Sequence, residues 1–372
     1  MPELRTVLQH AQNKGVAVGH FNIADFLMLK AIFESAHALK VPVIIGVSEG
    51  ERKFLGVRQT SALLRSLREE FEFPIFLNAD HTHSLDSAVE AAEAGYDAIV
   101  FDLSALPIDE NIRQTQAAIK KLKGINPAIL IEGEIGDIGT GSQIHDAAPN
   151  LSKGLTTPEE AKRYVEATGV DILAPAVGNM HGMLQSMVQG KTRKRLDLDR
   201  IAQIKTATQA LVTLHGASGT DDEDLRKAIA AGINIVHINT EVRVAWRRGL
   251  EESLTNQPQE IVPYREAPIP SLADFIGRLK AFESVRDDPE FGKILAGFHT
   301  FDSLWDSPAL NTPYKQNLSD AEKLAGLSKF WSEVKYISAL PKSWWRCTGI
   351  SCTSIGFLGY SPLNQPQITI AS

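Results

Sequence analysis

Six of the ten histidines in this 372-residue chain, His20, His81, His83, His181, His215 and His237, fall in or just after short apolar runs rich in Val and Ile. Histidines scattered over a solvated surface would not track such runs, so the placement points to a shared site. Three neutral imidazoles with an open fourth position are what a catalytic zinc ion requires, because the vacancy admits a substrate oxygen. His181-Gly182 and His215-Gly216 each pair a candidate ligand with glycine, which lets backbone approach closely. Asp80 directly precedes His81 and sets a carboxylate beside the metal.

Other polar groups close the same runs: Asn22, Ser48, Asp102 with Ser104, Glu132 and Glu134, and His237 with Asn239 and Thr240. The stretch His215-Gly216-Ala217-Ser218-Gly219 leads into a helix expected near Asp221. Glycine-rich turns at helix N-termini offer free N–H groups to phosphate oxygens, and such sites recur after the seventh and eighth strands of one architecture in particular. A phosphorylated small-molecule substrate is implied.

Eight runs must deliver these side chains: Val16–Ile23, Val41–Ser48, Pro74–Asp80, Tyr96–Asp102, Ala128–Gly136, Val170–Gly178, Leu211–Ser218 and Asn234–Thr240. Nearly continuous apolar character is the mark of a strand buried on both faces. Helical periods lie between them, as in Leu85, Ala88, Val89 and Ala92, and Thr157-Pro158-Glu159-Glu160 reads as a capping box with proline in the first turn. Eight βα units in about 240 residues predict an α/β fold of the (β/α)8, or TIM-barrel, class, with active-site groups at the C-terminal strand ends.

The chain is 43% hydrophobic with a formal charge of -7. Mild acidity without a long basic run argues against nucleic acid or an anionic membrane as partner. Cys347 and Cys352 are too few for a disulfide framework, and no run approaches the roughly 20 apolar residues that span a bilayer, so a cytoplasmic enzyme is expected. Composition shifts after about Phe282, where four of the five tryptophans follow. Residues 1–282 are therefore read as the barrel, closing on a short helix at Leu272–Phe282. Residues 283–372 are read as a C-terminal appendage with one helix near Ser319–Leu340.

The ordered set Phe21-Asn22, Ser48, Asp80-His81, Asp102-Leu103-Ser104, Glu132-Gly133-Glu134, Gly178-Asn179-Met180-His181-Gly182 and His215-Gly216-Ala217-Ser218-Gly219 resembles class II fructose-bisphosphate aldolases and the related tagatose-bisphosphate aldolases. The resemblance implies a lyase of glycolysis and carbohydrate metabolism. Its reaction would be reversible aldol cleavage of fructose 1,6-bisphosphate, or a related ketose bisphosphate, to dihydroxyacetone phosphate and glyceraldehyde 3-phosphate. It also implies His81, His181 and His215 as ligands of a catalytic Zn2+, and Asp80 as the acid/base at the C4 hydroxyl. Asp102 and Glu134 match positions of a second, non-catalytic divalent metal. Asn22, Ser48 and His237 fall at substrate-binding positions. Gly182, Gly216, Ala217, Ser218, Asn239 and Thr240 would bind the phosphate, with a monovalent cation nearby. A homodimer or larger homo-oligomer is expected.

Three departures qualify that implication. The family commonly carries a glutamate in the loop after the fifth strand, where this chain has Ser142, so His145 and Asp146 become the candidate loop bases. His237 stands where an asparagine is usual and Ile235 where a lysine is frequent. Both are expected on the substrate side, which leaves a tagatose-bisphosphate or other ketose-phosphate aldolase open. The missing glutamate and the appendage motivate a reading from a different class, a catalytically impaired barrel that binds metal and sugar phosphate. His83 is expected to be a loop histidine bonded to backbone, and no lysine closes any proposed strand to form a Schiff base.

Overall fold

The computed structural model describes residues 2–139, 141–147 and 154–256. Ten strands form there: β1 (Val18–Asn22), β2 (Val43–Val47), β3 (Ile75–Thr82), β4 (Ala98–Phe101), β5 (Leu130–Ile135), β6 (Ile144–His145), β7 (Ile172–Pro175), β8 (Met183–Leu184), β9 (Leu211–Leu214) and β10 (Ile233–Ile238). Eight of them close a parallel barrel in the order β1-β10-β9-β7-β5-β4-β3-β2. Closure runs through β1, whose Gly19 sits opposite Val236 on one side and Val43 on the other.

Each barrel strand falls on one of the eight apolar runs, and every residue of β1, β2, β4, β5, β7, β9 and β10 is buried. One face of each strand fills the barrel and the other is covered by helices, so alternation disappears from the sequence. Phe21, Ile45 and Leu214 are each wholly removed from water, and a side chain of that size contributes about 1.5–3 kcal/mol on burial.

A helix follows every barrel strand, and side-chain caps set many of the starts. Asp25, Ser84, Asp197 and Asp221 accept from backbone N–H groups in the first turn of the helices they precede. Thr157 and Glu160 form the expected capping box ahead of Pro158–Thr168. Among the described residues no helix is long and apolar enough to cross a membrane.

Several expectations need correction. All the runs but the third overshoot their strands at the C-terminal end, β3 instead continuing past Asp80 to Thr82: β9 stops at Leu214 because the chain turns through Gly216 at φ 56°. In Leu85–Glu93 the buried face is Ala88, Ala91 and Ala92, and Leu85 is exposed. The β6–β8 pair, two residues on each side, was not anticipated, being too short to show a period. The proposed helices Leu272–Phe282 and Ser319–Leu340 and the appendage lie outside the described residues.

Candidate active site at the strand ends

The geometry of the site begins with an irregularity in β3. Ala79 pairs with Ile99 and Thr82 with Phe101, so three steps on β3 match two on β4. Such a bulge re-aims side chains, and His81 within it takes φ 39°, a left-handed conformation that a residue with a Cβ holds only when its surroundings impose it. Asp80 and His81 thereby both reach the cavity at the barrel mouth.

The rings of His81, His181 and His215 converge there, with centroids 4.7 and 4.8 Å from His81 to the other two and 6.1 Å between those. One ligand atom from each, with a carboxylate oxygen of Glu134, forms a group whose members all lie within 4.8 Å of one another. The outward nitrogens are already committed. His81 Nδ1 lies 2.8 Å from Asp102 Oδ2, and His215 Nε2 lies 2.6 Å from Glu132 Oε1. A carboxylate can only accept, so both outward nitrogens are donors. The inward nitrogens, His81 Nε2 and His215 Nδ1, then face each other at 3.2 Å, a contact satisfied by a proton on one of them or by a metal ion that takes both lone pairs. Glu134 Oε2, buried with no hydrogen-bond partner, adds an unsatisfied acceptor. The donor set fits a metal ion.

Burial alone would lower the His81 imidazolium, but the Asp80, Asp102 and Glu134 carboxylates raise it to about 10. Burial and the Asp102 charge push the Glu134 carboxyl up to about 7. His181, with burial and two other imidazoles against it, is held well below the ordinary histidine range. Asp102 sits one step outside the histidine group, spent on His81 and on Ser104, whose N–H and hydroxyl donate to Oδ1.

Asp80 is buried beside this group, with Oδ2 accepting from Asn22 Nδ2 at 2.9 Å and Oδ1 lacking a hydrogen bond. Oδ1 is 3.6 Å from His237 Nδ1 and 3.9 Å from His81 Nε2. Burial opposes its charge, yet His81, His237 and His20 hold the carboxyl well below the usual range. His237 is stacked between His20, at 3.5 Å, and His215, at 4.1 Å. Burial keeps His20 and His237 neutral, with His20 lowered to about 4.

Every proposed substrate-binding residue except Ala217 lines one cavity of about 550 Å3, together with Asp80, His81, Asp102, His181 and His215. Ala217 is turned into the wall, and its N–H is already given to His237 O. Ser218 Oγ accepts from the N–H groups of Asn239 and Glu241, tying the turn after β9 to the one after β10. Ser48 caps Glu49–Leu55 in a box with Glu51. His83 Nδ1 is 3.0 Å from Asp102 O, the backbone bond expected of a loop histidine.

One expectation about the substrate side fails. Ile235 belongs to the apolar core of the barrel, because its position in β10 points it away from the mouth. In the loop after β5, Ser142 and Gln143 line the cavity; His145 lies in β6, paired with β8, with its ring against Gly182 of the cavity wall, where a Cβ would stand 2.6 Å from His145 Nε2, and Asp146 is exposed beyond it.

Sequence reasoning also missed several charged groups. Glu51 accepts from Asn22 and from Arg243, and Arg52 donates to Val47 O, Asp80 O and Thr82 Oγ1, bracing the ends of β2 and β3. Only Glu51 had a signal, three residues after Ser48 in capping-box spacing. Lys53 and Arg243 add positive charge to the cavity wall.

Residues 2–281 match the family model described as fructose-bisphosphate aldolase class-II. The fructose-bisphosphate aldolase of Thermus caldophilus is 31% identical over 278 residues, 69% of this chain and 88% of that protein. The sulfofructosephosphate aldolase of Alkalicoccus urumqiensis is 30% identical over 256 residues, 69% and 86% of the two chains. The crystal structure of the YdjI aldolase from Escherichia coli K12 superimposes with a TM-score of 0.64 at 27% identity, over 76% of this chain and 98% of that one.

Proposed function

The chain belongs to the class II fructose-bisphosphate aldolase family and is a lyase on a (β/α)8 barrel, and on that premise we propose that it catalyses the reversible, zinc-dependent aldol cleavage of fructose 1,6-bisphosphate. The observation that carries the proposal is the facing pair of inward nitrogens on His81 and His215, 3.2 Å apart, each fixed by a carboxylate behind it.

His81, His181 and His215 would hold the metal, with the Glu134 carboxylate beside them. When bound, zinc supplies Lewis acidity to the carbonyl and hydroxyl oxygens at C2 and C3, where cleavage of the C3–C4 bond leaves negative charge. Asp80 takes the proton from the C4 hydroxyl. It is ionised at neutral pH, has Oδ1 free of hydrogen bonds and is held in place by Asn22. The loops at Gly182, Gly216 and Ser218 and the N-terminus of Thr240–Asn256 receive the phosphate that becomes part of dihydroxyacetone phosphate. Arg243 and Lys53 supply charge for the far end of the ketose.

A second reading, cleavage of a different ketose phosphate, is favoured by His237 on the cavity wall. A coupled cleavage assay should therefore compare fructose and tagatose 1,6-bisphosphate, with metal content measured before and after chelation. Activity lost with the metal and restored by zinc supports the proposal. A protein that holds about one zinc per chain yet cleaves neither ketose would sink it and favour the impaired barrel. A protein that binds no metal would remove its premise. A homo-oligomeric, cytoplasmic enzyme of sugar-phosphate metabolism is part of the same proposal.

A further inference from the structure

Behind two residues of the cavity wall, Gly182 and Gly216, the chain buries a cation of its own. Lys194 is 4% exposed, and its Nζ donates to three backbone carbonyls, Met180 O at 2.7 Å, Gly182 O at 2.7 Å and Gly216 O at 2.8 Å. A neutral amine has two N–H donors and an ammonium three, so only the charged form satisfies all three oxygens. The distances are those of charge-assisted hydrogen bonds. Burial lowers the ammonium to about 7 against the pull of Glu241, so it is the three carbonyl acceptors that call for the charged form.

The three carbonyls come from the segments that do the chemistry. Met180 and Gly182 flank His181, and Gly216 follows His215. Gly182 and Gly216 also line the cavity where a phosphate is expected. The two loops approach so closely that a Cβ on Gly216 would stand 2.2 Å from Met180 O. Three carbonyl oxygens that converge on one point, each within 2.8 Å of Nζ, repel one another unless a cation sits between them. The backbone of Lys194 is fixed as well: its N–H donates to Gly219 O and its carbonyl accepts from Asp221 N–H.

The sequence reading allowed for a monovalent cation beside the phosphate. These carbonyls do not fit one, since an ammonium already occupies the point where they converge. We propose that Lys194 is a built-in replacement for a bound monovalent cation, a positioning residue that draws the loops after β7 and β9 together, holds His181 and His215 in register and adds positive charge beneath the substrate phosphate. This deepens the aldolase reading and rests on it for the identity of the phosphate.

The test compares wild type, Lys194→Ala and Lys194→Met, each zinc-loaded, in buffers whose monovalent cation is tetramethylammonium, K+ or ammonium. Ketose bisphosphate cleavage, dihydroxyacetone phosphate binding by calorimetry and thermal melting are read on each. Wild type should change by less than about twofold among the cations. Removing a charged donor costs about 1.5–3 kcal/mol, so Lys194→Ala should lose roughly 10–100-fold in affinity for dihydroxyacetone phosphate and in kcat/KM, mainly through KM. K+ or ammonium, entering the vacated cage, should restore much of the loss and raise the melting temperature of this variant alone. Lys194→Met, which fills the space without charge, should show no rescue.

Severalfold stimulation of wild type by K+ would overturn the proposal, as would a Lys194→Ala protein with unchanged KM. If neither variant folds, the cation response of wild type decides alone. If wild type cleaves no ketose, the aldolase reading fails separately, while cation-dependent melting of Lys194→Ala still decides whether Lys194 stands in for an ion.

Discussion

Replacing Asp102 with asparagine tests how the metal site is built. Asp102 Oδ2 accepts from His81 Nδ1 at 2.8 Å, which fixes the tautomer and turns the Nε2 lone pair toward His181 and His215. Removing a carboxylate that orients a ligand histidine typically costs 10–100-fold in metal affinity, about 1.4–2.7 kcal/mol. A second effect runs the other way. With burial, the Asp102 charge pushes the Glu134 carboxyl up to about 7, and its loss lets Glu134 ionise beside the metal more readily. The net loss for Asp102→Asn at neutral pH is therefore expected near the lower end, about tenfold, and for Asp102→Ala, which leaves Nδ1 without an acceptor, near the upper end. Chelator competition gives the affinity and elemental analysis the stoichiometry. Both variants should still bind about one zinc, as a three-imidazole site predicts. The implied alternative, Asp102 as ligand of a second metal, predicts two metals on wild type, one on the variant and unchanged affinity at the remaining site. That result would refute the reasoning.

Asp80→Asn should lower kcat by about 10²–10⁴-fold, the usual worth of a positioned acid/base, with metal content and dihydroxyacetone phosphate binding retained; parallel loss of metal would mean that Asp80 is structural. His81 stays protonated up to about pH 10 in the metal-free protein, and a bound metal must displace that proton. Zinc affinity should accordingly fall as pH is lowered, by up to about tenfold per unit for each proton released, and a flat profile from pH 6 to 9 would count against His81 as a ligand. The same raised value gives metal-free protein a stabilisation present in full below the ordinary histidine value of 6.5 and lost as pH rises toward 10, measurable as a falling melting temperature. Gly133→Ala places a Cβ 2.5 Å from the Tyr164 hydroxyl, which donates to Asn111 Oδ1 behind Glu134. Overpacking of that kind costs about 1–3 kcal/mol, so denaturant unfolding should show a clear loss, and an unchanged midpoint would mean the Tyr164 network moves freely.

What could be read in the sequence follows from which interactions are periodic. Two-faced burial makes each barrel strand a continuous apolar run, so all eight were visible, and caps such as Thr157 with Glu160 mark helix starts by local chemistry alone. The histidines were visible for a related reason: at the end of a buried run, an imidazole stands out against Val and Ile. Arg52 and Lys194 carried no such mark. Each reaches its partners across the fold, Arg52 to Asp80 O and Lys194 to Gly216 O, and a charged residue in a helix or loop looks like any solvated one until the backbone that surrounds it is known. His145 and Asp146 illustrate the converse. Their types suited a base, but where each one lies depends on the pairing of Ile144 and His145 with β8, which sets Ser142 and Gln143 on the cavity wall, brings the His145 ring against Gly182 and leaves Asp146 exposed.

The same contrast bears on how this site differs from one assembled around bound ions. Its unmet electrostatic demand is concentrated between His81, His215 and Glu134, where two inward ring nitrogens face each other beside an unpaired carboxylate oxygen. A few residues away, the converging carbonyls of Met180, Gly182 and Gly216 make a comparable demand that is already met by Lys194. One cluster therefore needs an exogenous cation to be complete and the other does not. Chelation should accordingly abolish activity, whereas exchange of the monovalent salt should leave it nearly unchanged.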